Sequence, residues 1–274
     1  MSRREQGKDA GLSAEQLSVA YGRTPVVEAL DFKVPDGALT ALIGPNGSGK
    51  STVLRSLAGL LSPSHGAVVL DGRSIARLPA KQMARRIGVL AQGPTAPEGV
   101  TVIDLVRQGR YPHRSIFGEW SQGDETACEN ALALTGMADL RDRRIDHLSG
   151  GQRQRAWIAM TLAQETDYLL LDEPTTFLDL AHQIEVMELV LDLVRNRGKT
   201  VVTVIHDLNQ AARYADQVVL LKAGRIVVSG SPGKVMTAET IHEVFGVSSI
   251  VIADPVSHTP LCIPAGGRWG VPPA

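Results

Sequence analysis

A glycine-rich loop between an apolar run and a helical segment constrains this chain more than any other feature. The apolar residues 38–43 predict a short buried strand, residues 44–51 read Gly-Pro-Asn-Gly-Ser-Gly-Lys-Ser, and residues 50–61 predict a helix ended by Ser62-Pro63-Ser64. The loop fits G-x-x-x-x-G-K-[ST] in the strand–loop–helix context which that pattern requires. Its glycines let the backbone curl so that N–H groups converge on phosphate oxygens. The alternative is a glycine-rich turn that matches by chance.

The surrounding segments alternate between strand-like and helical patterns, which predicts an α/β core. Strand patterns occur at residues 17–21, 26–34, 67–70, 87–91, 168–171, 200–205, 217–221 and 225–228, and helical ones at 80–86, 181–196, 208–215 and 239–245. From about residue 101 to 162 the pattern is helical without clear strands, so a mostly helical segment interrupts the core. After residue 245 the chain is rich in Pro and Gly, and we expect extended structure there.

Charge and composition limit the classes of function. The chain has 274 residues, with 28 Lys and Arg against 29 Asp and Glu and a net charge of −1. This balance argues against a protein built mainly to neutralise nucleic-acid phosphates. Cys128 and Cys262 form no paired framework and are expected to be ordinary thiols in a reducing compartment. No apolar run reaches the roughly 18–20 residues of a membrane helix, and the charged start resembles no signal peptide, so we expect a cytosolic chain unless a partner holds it at a membrane.

Two further motifs carry chemistry. In Leu169-Leu-Leu-Asp172-Glu173-Pro174, an acidic residue closing a buried strand is placed to hold Mg²⁺, and the next carboxylate can accept a proton from an attacking water. A strand that simply ends in a charged turn is the alternative. In Leu148-Ser-Gly-Gly-Gln152, a helix start with Ser and two glycines offers a second anion-binding surface, although Ser149 acting as a plain helix cap is the better explanation of this segment taken alone.

Together these motifs resemble the nucleotide-binding subunit of an ATP-binding cassette (ABC) transporter, and the resemblance covers roughly residues 15–235. It implies a P-loop NTPase (RecA-like) α/β core with an antiparallel β subdomain and an inserted helical subdomain, at about residues 93–162. Residues 1–14 are then expected to be a flexible tail, residues 15–235 the ATPase domain, and residues 236–274 a C-terminal extension. The resemblance also implies an ATP hydrolase coupled to transport, a translocase with ATP and Mg²⁺ as cofactors.

The resemblance assigns roles residue by residue. It implies catalytic roles for Lys50, Gln92, Glu173 (the general base) and His206 (a γ-phosphate contact), and Mg²⁺ contacts from Ser51, Gln92 and Asp172. Nucleotide contacts are implied for Tyr21 (stacking on adenine), Gly44, Pro45, Asn46, Gly47, Ser48, Gly49, Lys50, Ser51, Thr52, Ser149, Gly150, Gly151, Gln152 and Asp179. The signature residues Ser149–Gln152 face ATP bound by the opposite subunit in this family. The histidines His65, His113, His147, His182 and His242 show no metal-ligand spacing and are expected to be surface or packing residues.

Residues 109–113, 150–160, 172–183, 206–214 and 254–260 resemble the ATPases of iron–siderophore importers, the branch also used for haem and cobalamin. Phe177, where Tyr is frequent, and Ser257-His258, where Thr-Gly is frequent, are small departures. The implied partners are a second copy, separate membrane permease subunits and, indirectly, an extracytoplasmic substrate-binding protein, with no nucleic acid. The implied location is the cytoplasmic face of the membrane. Alternatives are haem or cobalamin import, a translation or repair ABC ATPase, and a nucleotide-binding regulator.

Overall fold

The computed structural model describes residues 11–114 and 119–265. These residues form two compact units. Unit 1 contains the described residues 11–76 and 202–265, and unit 2 contains the described residues of 77–201. Most of the predicted N-terminal tail, residues 1–10, and the terminus from residue 266 lie outside the described residues.

The described strands are β1 (Leu12–Tyr21), β2 (Thr24–Lys33), β3 (Leu39–Ile43), β4 (His65–Leu70), β5 (Arg73–Ser74), β6 (Ile87–Leu90), β7 (Tyr168–Asp172), β8 (Thr200–Val204), β9 (Gln217–Lys222), β10 (Arg225–Gly230), β11 (Ser249–Ala253) and β12 (Pro260–Pro264). The described α-helices are α1 (Lys50–Leu57), α2 (Ala80–Ala84), α3 (Val102–Gln108), α4 (Gln122–Leu134), α5 (Gly150–Ala163), α6 (Leu180–Arg195), α7 (Leu208–Tyr214), α8 (Pro232–Val235) and α9 (Ala238–Phe245). Short 3₁₀ turns lie at Ile75–Arg77, Tyr111–His113, Ala138–Leu140 and Ile145–His147. None of the helices in the described ranges is long and apolar enough to cross a membrane.

Unit 1 contains an antiparallel sheet with the strand order β2-β1-β4-β5. Strand β1 begins at Leu12, and the side chains of Leu12 and Ala14 are buried. The predicted tail of residues 1–14 is therefore wrong at its C-terminal end, because residues 12–14 pair with β2 and β4 rather than fraying. Apolar burial at alternate positions fixes this register, since a slip of one residue would turn the buried side chains toward solvent.

Unit 1 also contains β3, which pairs in parallel with β9, and β10, which pairs with β9 in antiparallel orientation. All five residues of β3 are buried, as the unbroken apolar run predicts for a strand covered on both faces. The glycine-rich loop follows β3 directly and leads into α1. Helix α1 ends at Leu57, four residues before the predicted end, because Gly59 takes a left-handed conformation (φ 68°) and the amide of Leu60 turns back to the carbonyl of Arg55.

The C-terminal part of unit 1 holds a hairpin that the sequence did not predict. Strands β11 and β12 pair in antiparallel register, with Val251 opposite Cys262. The side-chain amide of Asn209 on α7 bonds both backbone groups of Cys262, at 2.7 and 3.2 Å, and so fixes the hairpin to the unit. The prediction of extended structure after residue 245 did not include this pairing; the two prolines of β12 stand at its first and last positions, at the ends of the strand.

Unit 2 combines a parallel strand pair with helices. Strands β6 and β7 pair in parallel, with Ile87 opposite Tyr168, and every residue of β7 is buried. Helices α3, α4 and α5 contact one another, and they occupy much of the predicted helical segment. The extent predicted for the helical subdomain, about residues 93–162, remains a prediction. Strand β8 crosses the boundary between the two units along the chain.

An ion-pair cluster around a buried arginine joins the helices of unit 2. The guanidinium group of Arg110 lies 2.9 Å from Asp124 Oδ1 and 2.7 Å from Glu165 Oε2, and its Nη1 also donates to the carbonyl of Ala163. The side chains of Arg110 and Asp124 are only 7% and 8% exposed. Because a buried charge is costly unless it is paired, this cluster links the end of α3 to α4 and to the end of α5.

Candidate nucleotide-binding site

The loop between β3 and α1 has a backbone that only glycine accommodates at several positions. A Cβ on Gly44 would approach the carbonyl oxygen of Leu221 more closely than the 3.0 Å that real Cβ atoms keep. Gly47 and Gly49 adopt positive φ angles of 78° and 99°, and Gly49 is the N-cap of α1. The glycines of the motif are therefore required by the close approach of β9 and by the left-handed turns of the loop.

The side chain of Lys50 lies inside this loop. Its Nζ donates to the carbonyl oxygens of Gly44 and Pro45, at 2.9 and 3.1 Å, and the residue is only 6% exposed. The hydroxyl oxygen of Ser48 is buried and has no hydrogen-bond partner among the described residues. A buried ammonium and a buried hydroxyl beside the N-terminus of a helix fit phosphate oxygens as ligands. Ser51 and Thr52 follow on the first turn of α1, where Thr52 is buried and Ser51 is half-buried.

Unit 1 also contains His206 and Tyr21, two predicted site residues that lie at or just after the end of a strand. His206 is exposed directly after β8 and Ile205, whose amide lies 3.3 Å from the carbonyl oxygen of Leu42 on β3. His206 therefore follows a segment bonded to the strand that leads into the loop. Tyr21 is the last residue of β1 and is 49% exposed, which leaves part of its ring open for stacking.

In unit 2, the carboxylates predicted from the strand-end motif take two different environments. Asp172 is the last residue of β7 and is 2% exposed, whereas Glu173 follows it half-buried, with a left-handed φ of 54°. This conformation is uncommon for a residue with a Cβ and turns the chain sharply at the strand end. The two adjacent carboxylates therefore differ in burial, which suits different roles.

Two side chains hold the carboxylate of Glu173. Gln92 Nε2 donates to Glu173 Oε2 at 2.7 Å, and the hydroxyl of Thr176 donates to the same oxygen at 3.0 Å. The structure thus brings together two residues that are 81 positions apart and were both predicted as catalytic. Sequence reasoning missed Thr176, because a threonine in a turn gives no sign of its partner without the fold.

The segment Ser149–Gln152 forms the start of α5. The hydroxyl of Ser149 accepts a hydrogen bond from the amide of Gln152 at 3.2 Å, and Gln152 Oε1 accepts one from the amide of Ser149 at 3.1 Å. This reciprocal capping box is the arrangement that the plain-cap alternative predicted. The anion-contacting role of this segment remains a prediction, since a capped helix start still presents backbone amides.

Asp179 caps α6 in the same unit. Its Oδ1 accepts a hydrogen bond from the amide of His182 at 2.9 Å and lies 2.6 Å from the ring Nδ1 of His182. The hydrogen bond from that amide, followed by the one from the ring, lowers the pKa of the Asp179 carboxyl, so the group is ionised. The sequence pattern predicts His182 to be a surface or packing residue, and in the structure it contacts a predicted site residue, Asp179. The ring of His182 also lies against the backbone of Gly151, and only the fold reveals this contact.

Comparison with known proteins places these features in a family. The family model described as ABC transporter matches residues 27–176. The ferric enterobactin transport ATP-binding protein FepC of Escherichia coli (strain K12) is 52% identical over 257 residues, which cover 94% of this chain and 95% of the relative. The petrobactin import ATP-binding protein FpuD of Bacillus anthracis is 49% identical over 255 residues, which cover 93% of each chain.

The fold is also similar to solved structures. One, a transporter assigned to the metal-chelate type of ABC transporter in an inward-facing conformation, superposes with a TM-score of 0.81 at 30% identity. The match covers 93% of this chain and 97% of that one. This likeness, together with the parallel strands and helices described above, confirms the predicted fold class.

Proposed function

Because this chain belongs to the ABC transporter family, we propose that it is the ATP-hydrolysing subunit that energises uptake of Fe(III)–siderophore complexes. The family predicted from the sequence is thereby confirmed. The observation that carries the substrate class is the similarity, over more than nine tenths of the chain, to ATP-binding proteins named for ferric enterobactin transport and petrobactin import.

The phosphate end of ATP is assigned to the loop after β3. Lys50 supplies positive charge from within the loop, and Ser48 and the backbone amides at the start of α1 supply hydrogen-bond donors. Tyr21 is assigned to stack on the adenine and His206 to contact the γ-phosphate. The glycines of the loop leave room for the phosphates to approach the backbone.

The hydrolytic step is assigned to Glu173, which accepts the proton of the attacking water as general base. Gln92 and Thr176 both bond to Glu173 Oε2 and so orient the carboxylate. Ser51, Gln92 and Asp172 provide a hydroxyl, an amide and a carboxylate, oxygen donors that fit Mg²⁺. When bound, Mg²⁺ neutralises the charge that develops on the β- and γ-phosphates.

The proposed assembly contains two copies of this chain. Ser149–Gln152 of one copy would contact ATP held by the loop of the other, with Asp179 beside them, so ATP favours a closed dimer and hydrolysis releases it. Separate permease subunits would form the membrane path, with the dimer bound at their cytoplasmic face. A substrate-binding protein outside the membrane would deliver the chelate.

The test is growth of a strain whose only copy of this chain carries Glu173→Gln, with an Fe(III)–siderophore as sole iron source. We expect loss of growth on one or more members of a siderophore panel and rescue by ferrous iron. A strain carrying Glu129→Gln, a change at an exposed position on α4, is the matched control and is expected to grow normally. Normal growth of the Glu173→Gln strain on every siderophore would overturn the substrate assignment.

Haem and cobalamin are the alternative cargoes, and the same strains grown on haem as iron source or in a cobalamin-dependent medium distinguish them.

Purification distinguishes a subunit of a transporter from a nucleotide-binding regulator and from a translation or repair ATPase. An importer subunit is expected to copurify with integral membrane subunits in mild detergent. Copurification with ribosomes or DNA in their place would contradict transport.

A further inference from the structure

His182 lies at a junction between the predicted signature segment and the loop that carries Asp179. It occupies the first turn of α6, and its backbone amide and its ring both bond to Asp179 Oδ1. Because the Asp179 carboxyl is ionised, it is the acceptor, and Nδ1 of the ring must carry the hydrogen. One carboxylate oxygen thus caps the helix and fixes the tautomer and direction of the ring.

The ring of His182 lies directly against the backbone of α5. A Cβ on Gly151 would come within 3.0 Å of the ring atoms Cγ, Cδ2 and Nε2. The neighbouring Gly150 is looser, since its Cβ would stand 3.7 Å from Leu178 Cδ2, an ordinary contact. Gly151 is therefore the position at which the absence of a side chain lets α6 approach the first turn of α5.

A second link between the two helices lies one turn further along. Arg155 Nη1 on α5 is 3.3 Å from Glu185 Oε2 on α6, and the two side chains are 25% and 49% exposed. A partly exposed ion pair of this kind contributes little to fixing a helix position. The contact of His182 with Gly151 is the closer of these two links. It lies at the N-terminal end of α5, to which the proposed function assigns nucleotide contacts.

We infer that His182 is a positioning residue, which holds the turn Ser149–Gly151 in register with Asp179 of the same copy. This inference rests on the proposed function, in which both groups face the nucleotide of the opposite copy. The side chains of Ser149 and Gln152 each accept a hydrogen bond from the backbone amide of the other residue, so these two bonds shape the turn from within and do not attach it to α6. The His182 ring supplies that attachment, while the Asp179 side chain stays 67% exposed and can meet the second copy.

Steady-state ATP hydrolysis by the purified full chain tests this role. We expect His182→Ala to lower kcat about tenfold and to raise the chain concentration that gives half-maximal rate, because small misplacements of contacting groups are costly to the transition state. Binding of a fluorescent ATP analogue by the loop after β3 is expected to stay within about twofold of wild type, because the proposed function assigns that binding to Lys50, Ser48 and the start of α1. His182→Asn, whose amide keeps a donor near the position of Nδ1, is expected to recover part of the rate.

Glu185→Gln is the matched control, since it removes the other link between α5 and α6 and is expected to leave kcat within about twofold. The contact itself is tested with Gly151→Ala. Its methyl group would strike the His182 ring, so its effect on kcat is expected to be smaller in the His182→Ala background than in the wild-type chain.

An unchanged kcat in His182→Ala, or equal effects of Gly151→Ala in both backgrounds, would overturn the inference. A parallel loss of analogue binding would also count against it, because that result indicates general damage to the fold. Failure of the part of the proposed function on which this inference rests, ATP hydrolysis, is distinguishable, since the wild-type chain itself would then hydrolyse no ATP.

Discussion

Gln92 Nε2 donates a hydrogen bond to Glu173 Oε2 across 2.7 Å, and this contact connects the second residue after β6 to the proposed general base. A hydrogen bond to a carboxylate is worth about 1.5–3 kcal/mol, which corresponds to roughly a 10- to 100-fold change in rate. Because the bond orients the base rather than the nucleotide, its loss is expected to lower kcat more than it raises KM.

The first prediction is that Gln92→Ala lowers kcat for ATP hydrolysis about tenfold or more, with KM for ATP within about threefold of wild type. Steady-state kinetics of the purified chain measure both constants. Gln82→Ala, at an exposed position on α2, is the control and is expected to have wild-type constants. An unchanged kcat in Gln92→Ala would contradict both the orienting role of this hydrogen bond and the proposed contact of Gln92 with Mg²⁺.

The second prediction compares two glycines of the phosphate loop. Gly44→Ala places a methyl group against the backbone carbonyl of Leu221, which no side-chain rotation can relieve, so we expect a loss of about 3 kcal/mol or more in the free energy of unfolding. Gly47→Ala meets open space and carries only the cost of its left-handed φ, about 1–2 kcal/mol. Urea unfolding measures both.

Gly233→Ala provides the reference for this pair, because its Cβ also meets open space and its backbone is helical. We expect no loss, and a gain of up to about 1 kcal/mol, because alanine favours a helical backbone more than glycine does. Gly44 has no left-handed φ, so equal destabilisation by Gly44→Ala and Gly47→Ala would mean that the approach of β9 does not require glycine at position 44.

The sequence was sufficient for the parts of this fold that depend on local pattern. The apolar run before Gly44 predicts β3 closely, because a strand buried on both faces needs an unbroken apolar segment. The local sequence pattern does not predict contacts outside a strand or helix. The hydrogen bond from Thr176 to Glu173 and the approach of His182 to Gly151 depend on how strands, turns and helices pack. The hairpin of β11 and β12 was missed because a proline, taken by itself, predicts a break in a strand. Its actual effect depends on where it stands among the hydrogen bonds between the strands.

The third prediction concerns the thiol of Cys128. This residue is fully buried on α4, and burial raises the pKa of its thiol to about 11. Thiolate is the reactive form, so at pH 8 the raised pKa alone slows reaction with a disulfide reagent by roughly 100-fold compared with the unfolded chain.

Cys262→Ser leaves Cys128 as the single cysteine, and labelling of this variant with and without urea measures the difference. Fast labelling in the absence of urea would mean that α4 opens readily from its neighbours, contrary to its buried packing.

The fourth prediction uses the buried carboxylate of Asp124. The hydroxyl of Ser121, which donates to Oδ2 at 2.6 Å, is the main reason why the pKa of Asp124 falls from 3.8 to about 2. Arg110 also lowers this pKa, while burial opposes the shift. Because the folded-state pKa lies below the unfolded one, the resulting stability is fully present above about pH 4 and is lost as the pH falls toward 2.

Asp124→Asn removes this titrating group, so we expect a loss of about 1–3 kcal/mol in the free energy of unfolding at pH 7. The difference from the wild-type chain is expected to shrink as the pH falls from about 4 to about 2, since wild-type Asp124 becomes protonated there. Urea unfolding at a series of pH values measures the difference, and Asp142→Asn, whose side chain is 86% exposed, is the matched control. A difference that stays constant down to pH 2 would show that the variant acts through packing of α4 and not through the charge of Asp124.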